Sequence, residues 1–529
     1  MLDLSRNGVM RAESMKEYME YMAVMGLNTL VLYMEDVYEI PGRPYFGYMR
    51  GRYSAKELTE LDEYGQMLGI ELYPHIQTLG HMAQYIKWDE ALPMRDMANI
   101  LLADEERTYE LIEDMIKTVS ASFKSRKIHL GMDEAGLLGC GNYFAKHGFV
   151  PRIEILLRHL RRVTDIAEKY GLQPAMYSDI LFASLSGNEY FNTAVEIPKE
   201  VADRLPECVT LNSWGYDSVD GAEYDKTFKL HKALNREVMF TGGIWNWFGF
   251  CPDNFHTLET GTPALTACKR NGINRVLGSV WGDDGCESNH FFSVMGMQLY
   301  AEHMYNSEVS EEQLRERFEF CTGADYGAFL EISEFHSKLS AGDRIEPYWE
   351  RYYGKRFFWQ DILIGLLDSR LYETPMDEHY NGLYERMQGF ANKNTAWSDY
   401  FAYTAALCDI LRLKCYISQE LRPRYLSGDK EFLAECARTL LPDLLNRVRR
   451  AKSLHKKQWL KTYKPFGWEV LDIRYSGLAG RIEYATERLE DYISGSVSAL
   501  EELDAVRLPH STEWHLNYYH GIATACLTI

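Results

Sequence analysis

Eight short apolar runs, each followed by a stretch with helical periodicity, fill the first three hundred residues of this chain. That alternation constrains the fold more than any other feature. The runs are Leu2–Ser5, Asn28–Tyr33, Ile70–Gln77, Lys127–Ala135, Gln173–Ser178, Cys208–Asn212, Val238–Gly242 and Arg275–Trp281. Between them, helical patterns are predicted over Ala12–Met25, over Ser54–Leu68 behind a serine cap, and over Asp104–Phe123. In the last, Leu111, Ile112, Met115, Ile116 and Val119 recur at spacings of three and four. A further helix is expected to begin at Pro151, a residue suited to a first turn. Eight β-then-α units of about 35 residues match a (β/α)8 TIM barrel of about 250 residues. A doubly wound open sheet is the competitor, but no glycine-rich phosphate loop follows the first run.

The chain has 529 residues, more than one hydrophobic core usually holds. We expect an α/β chain with a catalytic barrel over 1–305 and an all-α C-terminal domain over 306–529. In the latter, Leu440–His455 and Gly477–Leu500 carry helical periodicity with charged outer faces. A formal charge of −20 argues against nucleic acid or an anionic membrane as partner. A neutral sugar is compatible with that field. The ten cysteines form no C-x-x-C pair, and no histidine-rich ligand spacing accompanies them. Free thiols, no metal and no cofactor are therefore expected. With no charged-then-apolar leader and no run of 18 apolar residues, a cytoplasmic location is the expectation.

In a (β/α)8 barrel the reacting groups stand at the carboxyl ends of the strands. Those ends carry Arg6, Glu35-Asp36, Gln77 with His81, and Asp133-Glu134. The later ones carry Tyr177 with Asp179, Trp214 with Tyr216, Trp245 with Trp247, and Trp281 with Asp283-Asp284. Singly, each has a bland reading: a tryptophan in the core, a structural ion pair, a satisfied loop histidine. As a set they describe a pocket for a pyranose, whose C–H faces stack on indoles while its hydroxyls meet charged groups. The pair Asp133-Glu134 is the sharpest element. Strand alternation would point the two apart, but at a frayed strand end both can reach one cavity. Two carboxyls in one pocket have their pKa values driven apart, which acid/base chemistry requires.

Five segments resemble glycoside hydrolase family 20, the retaining β-N-acetylhexosaminidases, and above all its bacterial subgroup with a helical C-terminal domain. They are Leu2-Asp3-Leu4-Ser5-Arg6-Asn7, Leu32-Tyr33-Met34-Glu35-Asp36, Gln77-Thr78-Leu79-Gly80-His81, Gly131-Met132-Asp133-Glu134 and Ser279-Val280-Trp281-Gly282-Asp283, in order at successive strand ends. Downstream, Phe358-Trp359-Gln360-Asp361-Ile362-Leu363 and Lys464-Pro465-Phe466-Gly467 look like the same subgroup.

The resemblance implies that Glu134 is the general acid/base, protonating the glycosidic oxygen and later activating water. It implies no enzyme nucleophile: the substrate's 2-acetamido carbonyl attacks the anomeric carbon, and Asp133 orients and stabilises that group. This substrate-assisted route is an exception to the two-carboxylate scheme. Arg6 would grip ring hydroxyls, Asp283 would read the 4- and 6-hydroxyls, and Trp281 would floor the pocket. Glu35, Asp36, His81, Tyr177, Asp179, Trp214, Tyr216, Trp245 and Trp247 are expected to line it.

Three departures bear on these expectations. Many members place a Tyr-x-Asp element on a later strand to bond the acetamido carbonyl. The nearest stretch here is Asn212-Ser213-Trp214-Gly215-Tyr216. The fifth strand carries Tyr177 where related sequences often have tryptophan. Either Tyr216 or Tyr177 supplies the missing hydrogen bond, or the site takes a sugar without the acetamide, such as a β-galactoside or β-glucoside. The third departure is length: members carry a small α/β domain before the barrel, and here Met1 stands almost at the first strand, which bears on the lower rim more than on the catalytic face. A sugar-binding protein with a decayed site is the non-enzymatic alternative. The region 306–529 can serve as a scaffold, a lid or a homodimer surface. Its aromatics at Tyr348-Trp349, Tyr352-Tyr353 and Phe357-Phe358-Trp359 are either an exposed partner or glycan surface, or packed core.

Overall fold

The structure is a computed structural model that describes residues 1–187, 194–337, 351–393, 395–508 and 517–526. The described chain divides into two compact units. The first comprises Met1–Ile244, His256–Trp281 and Gly296–Leu314; the second comprises Trp245–Phe255, Gly282–Met295 and Arg315–Ile529.

The first unit is the expected barrel. Its strands are β1 (Leu2–Asp3), β2 (Thr29–Tyr33), β3 (Glu71–His75), β4 (Lys127–His129), β5 (Gln173–Tyr177), β6 (Thr210–Gly215), β7 (Val238–Gly243) and β8 (Val276–Ser279). They pair in parallel in chain order, with Leu2 opposite Leu32, His75 opposite His129 and Ala175 opposite Thr210. Leu2 bridges Val280, and the Asp3 and Val280 amides donate to Val280 O and Met1 O at 3.0 and 2.9 Å. The ring therefore closes, and with it the open-sheet reading falls. Buried on both faces, these strands need continuous apolar runs, which is why they were legible.

Strand ends depart from expectation for local reasons. β1 stops at Asp3 because its carboxylate captures the Ser5 amide and hydroxyl, both at 2.8 Å, and turns the chain outward. β4 stops at His129, whose Nδ1 accepts the Gly131 amide at 3.1 Å. β6 begins two residues later than predicted and runs on through Trp214, because Ser213, Trp214 and Gly215 pair with Phe240, Thr241 and Gly242.

The helices follow their stripes. Ala12–Met25 buries Met15, Tyr18, Met19, Met22 and Met25 and ends at Gly26 with φ +91. Ala55–Met67 is opened by a capping box: the Glu57 amide donates to Ser54 Oγ (3.2 Å) and the Ser54 amide to Glu57 Oε2 (2.9 Å). Pro151 is the N-cap of Arg152–Lys169, so the helix starts one residue after the predicted position.

The barrel interior is partly polar. His75 and His129 stack with ring centroids 3.9 Å apart, and burial holds both neutral, with His129 pushed down to about 3. Because His129 Nδ1 accepts from Gly131, the ring proton sits on Nε2. The Asn212 amide 3.0 Å away must then turn its oxygen toward it.

The second unit is helical, with Asp377–Ala391, Ser398–Leu426, Leu441–Thr462 and Trp468–Ser494 as its long members. Tyr352, Tyr353, Phe357, Phe358 and Trp359 are buried in it. Phe358 packs on Phe250 at 4.6 Å and Trp359 on Tyr475 at 5.3 Å. These aromatics are core and not an exposed glycan surface. Tyr348-Trp349 lie outside the described residues.

Candidate active site

The carboxyl ends of β1 to β4 bring four of the predicted segments into one hydrogen-bonded network. Arg6, after β1, ion-pairs with Glu35, after β2, and donates to Ser5 Oγ at 2.7 Å. The Tyr33 hydroxyl donates to Glu35 Oε1 at 3.1 Å. Asp36 is buried and engaged elsewhere: Arg50 reaches it with Nε at 2.9 Å, while the rest of that guanidinium binds Asn7 Oδ1 at 3.3 Å and the Ser5 carbonyl.

Gln77 forms the centre. Its Nε2 donates to Asp133 Oδ1 at 2.8 Å and to the Tyr33 hydroxyl at 3.0 Å, and its Oε1 accepts the Met132 amide at 3.1 Å. Since Oε1 must face a backbone N–H, the orientation of this amide is fixed, and Asp133 Oδ1 receives a true donor. Gly131 permits the contact: at φ +70, a Cβ there would lie 2.0 Å from Gln77 Oε1. Gly80 plays the same part on the other side, where a Cβ would come 2.5 Å from the Asp133 carbonyl.

The two adjacent carboxylates converge. His81 Nε2 lies 3.3 Å from Asp133 Oδ2 and 3.5 Å from Glu134 Oε2, and its Nδ1 is 3.4 Å from Arg6 Nη2. The frayed strand end achieves this through left-handed turns at Met132 (φ 76) and Glu134 (φ 53), facing another at His81 (φ 54). Asp133 is buried, whereas the Glu134 side chain is 47% exposed and opens to solvent.

Electrostatics separate the pair. Burial alone would raise Asp133, but the His81 charge and the hydrogen bonds from His81 and Gln77 hold its carboxyl below the usual aspartate range. Partial burial of its carboxyl and then Asp133 hold Glu134 above the usual glutamate range, with His81 pulling the other way. Burial works against charge on His81, yet Asp133 carries the imidazole up to about 9. The cluster thus favours the carboxylate form of Asp133 and the charged form of His81, and raises the proton affinity of Glu134.

β5, β6 and β8 supply the opposite wall of the first unit. Tyr177 is buried, its hydroxyl 3.6 Å from Met1 Sδ and its ring 4.5 Å from His129. Tyr216 stacks on Trp214 at 5.1 Å. Its hydroxyl is hydrogen-bonded to Trp281 and Ser279, and Asp133 and Glu134 both add to the rise that burial gives its pKa. Trp281 meets Tyr33 edge-on at 4.9 Å. Asp179 is fully buried, and its Oδ2 accepts the Glu134 backbone amide at 2.9 Å.

Trp245, Trp247 and Asp283 belong to the second unit. There Trp245 and Trp247 are buried and stacked at 4.2 Å. Asp283 is half-buried, while its neighbour Asp284 accepts from Lys355 at 2.7 Å and Arg474 at 2.9 Å.

Tyr33 and Gln77 stand in the segments quoted above without a role of their own, and Arg50 stands in none. Tyr33 reads as one more apolar strand residue, and Arg50 as a solvated loop charge.

A closed parallel barrel whose strand ends gather carboxylates, a histidine, an arginine and aromatics is a (β/α)8 barrel with its polar cluster on the face where such barrels carry chemistry. Residues 1–184 match the glycosyl hydrolase family 20 catalytic domain, and residues 328–520 match the glycoside hydrolase 20C C-terminal domain. The chain belongs to glycoside hydrolase family 20.

It is 27% identical over 241 residues to hexosaminidase D of Bos taurus, an alignment covering 42% of this chain and 62% of that protein. Among solved structures it is similar to the β-N-acetylhexosaminidase of Bacteroides fragilis NCTC 9343, with 19% identity, TM-score 0.46 and coverage of 59% of this chain and 66% of that one. It is also similar to the Flavobacterium johnsoniae chitobiase, with 14% identity, TM-score 0.48 and coverage of 95% and 73%. The chain thus spans just under two thirds of the length of the bovine and B. fragilis relatives.

Proposed function

We propose that this protein is an exo-acting retaining β-N-acetylhexosaminidase that removes terminal β-linked GlcNAc or GalNAc, with 1–305 as its catalytic barrel and 306–529 as its helical C-terminal domain. The observation that carries the reading is the convergence of Asp133 and Glu134 on His81, with their pKa values driven in opposite directions. Glu134, half-exposed and with its proton affinity raised, is the acid for the leaving oxygen and then the base for water. Asp133, ionised and clamped by Gln77 and His81, orients the acetamido N–H and stabilises the positive charge that grows as its carbonyl attacks the anomeric carbon. Arg6 with Glu35 holds ring hydroxyls, and Trp281 offers the apolar face. Of the two tyrosines considered for the acetamido carbonyl, Tyr216 is the better placed. Tyr177 turns its hydroxyl toward Met1 in the barrel interior.

One observation favours a second reading, cleavage of a β-galactoside or β-glucoside. Ser213 and Gly215 leave the β6 wall without the family's usual hydrogen-bonding pair. Side-by-side release from aryl β-glycosides of GlcNAc, GalNAc, galactose and glucose separates the two. Preference for both N-acetyl sugars, abolished in Glu134→Gln and accompanied by tight binding of a thiazoline mimic of the intermediate, is the expected result. Faster release of galactose or glucose would overturn it. Equal inactivity of wild type and Glu134→Gln toward all four would point to the non-catalytic alternative.

A further inference from the structure

Asp179 entered as a candidate substrate ligand, but its contacts run the other way. It is 0% exposed, stands at the start of the helix Asp179–Ser186 directly after β5, and turns Oδ2 onto the backbone amide of Glu134 at 2.9 Å. That amide belongs to a residue in the left-handed region, φ 53, where a side chain with a Cβ is held only if its surroundings fix it. Two residues earlier Met132 is also left-handed, and there Gln77 Oε1 takes the amide. The turn that presents Asp133 and Glu134 is thus pinned at alternate amides by two side chains, one just after β3 and the other just after β5.

We infer that Asp179 is a positioning residue: it captures the Glu134 amide, holds the strained turn, and so fixes where the Glu134 carboxyl stands. The inference rests on the reading of Glu134 as the acid. An acceptor is all the task requires. Asp179 is buried beside Asp133 and Glu134, and burial followed by Asp133 takes its pKa to about 8. A neutral carboxyl oxygen accepts an amide as well as the turn demands. The Trp214 side chain also hydrogen-bonds Asp179, which ties this carboxyl to the β6 wall.

The test compares Asp179→Ala and Asp179→Asn in the full chain with two readouts. Hydrogen–deuterium exchange over 130–138 needs no activity. Loss of one buried acceptor should speed exchange there about tenfold in the alanine variant, with the asparagine variant close to wild type. On aryl β-GlcNAc, kcat should fall about a hundredfold in the alanine variant with KM within about threefold, because the acid is displaced and the sugar is not. Asparagine should restore kcat to within about tenfold of wild type. A rise in KM with kcat preserved would make Asp179 a substrate ligand. Unchanged exchange in a folded alanine variant would remove the latch altogether. Should wild type release no N-acetyl sugar, the hexosaminidase reading fails while the exchange result still decides the latch.

Discussion

Replacing His81 with glutamine isolates the electrostatic part of the site, because the amide keeps a donor near Asp133 and removes the charge. In the folded chain the imidazole is carried from 6.5 to about 9 against the cost of burial, by Asp133 first and Glu35 after it. At about 1.4 kcal/mol for each tenfold change in a protonation equilibrium, that preference is worth about 3 kcal/mol. Its sign follows from the direction. A raised folded pKa stabilises fully below the unfolded value near 6.5, still contributes about 2.5 kcal/mol near pH 7, and is lost as pH rises through about 9. Urea titrations of wild type and His81→Gln near pH 6, 7.5 and 10 should show a stability gap that closes toward alkaline pH. The same substitution removes the charge that most lowers Asp133, so the acidic limb of the kcat/KM profile should move to higher pH. A gap that is constant across pH, with an unmoved acidic limb, would mean that His81 is neutral in the folded chain. Asp133 would then owe its lowered pKa to Gln77 and to its own backbone amide.

Gly131→Ala should destabilise the chain by about 1–3 kcal/mol, since φ +70 strains any Cβ and the new methyl meets Gln77 Oε1 at 2.0 Å. Thermal unfolding and aryl-glycoside release should fall together, because the displaced amide is the one that clamps Asp133. Arg50→Ala leaves Asp36 buried with its cation gone, which should cost about 3 kcal/mol in a urea titration. Arg50→Lys should recover only part of it, as one ammonium cannot span Asp36, Asn7 and the Ser5 carbonyl.

How much of this was legible depended on range. Strands buried on both faces announce themselves as apolar runs, so all eight were found and most errors were of a residue or two. The Ser54 cap and the methionine stripe of Ala12–Met25 are equally local. Partnerships across the barrel are not. Gln77 meets Asp133 over 56 positions and Asp179 meets the Glu134 amide over 45, and nothing in the residue types at either end declares the other. Trp245, Trp247 and Asp283 were read from strand ends as one set with Trp281. Packing assigns them to the unit that also holds the long C-terminal helices, a division that sequence order does not carry.

The strain in the turns explains why the legible and the hidden parts coincide where they do. Asn7, Glu35, His81, Met132 and Glu134 are all left-handed without being glycine, and all follow β1 to β4 at their carboxyl ends. No helix or strand propensity favours such positions, so a local reading sees only polar residues after a strand. Each costs on the order of 1 kcal/mol or more and persists because a neighbour over-determines it. For Met132 and Glu134 those neighbours are Gln77 and Asp179, whose residue types do not reveal which amide they hold. A buried amide or carboxyl aimed at a backbone N–H leaves no periodic trace in the sequence. The visible pair Asp133-Glu134 tells where the chemistry is, and Gln77 and Asp179, whose contacts the sequence does not declare, determine whether two adjacent carboxyls can face one histidine at all.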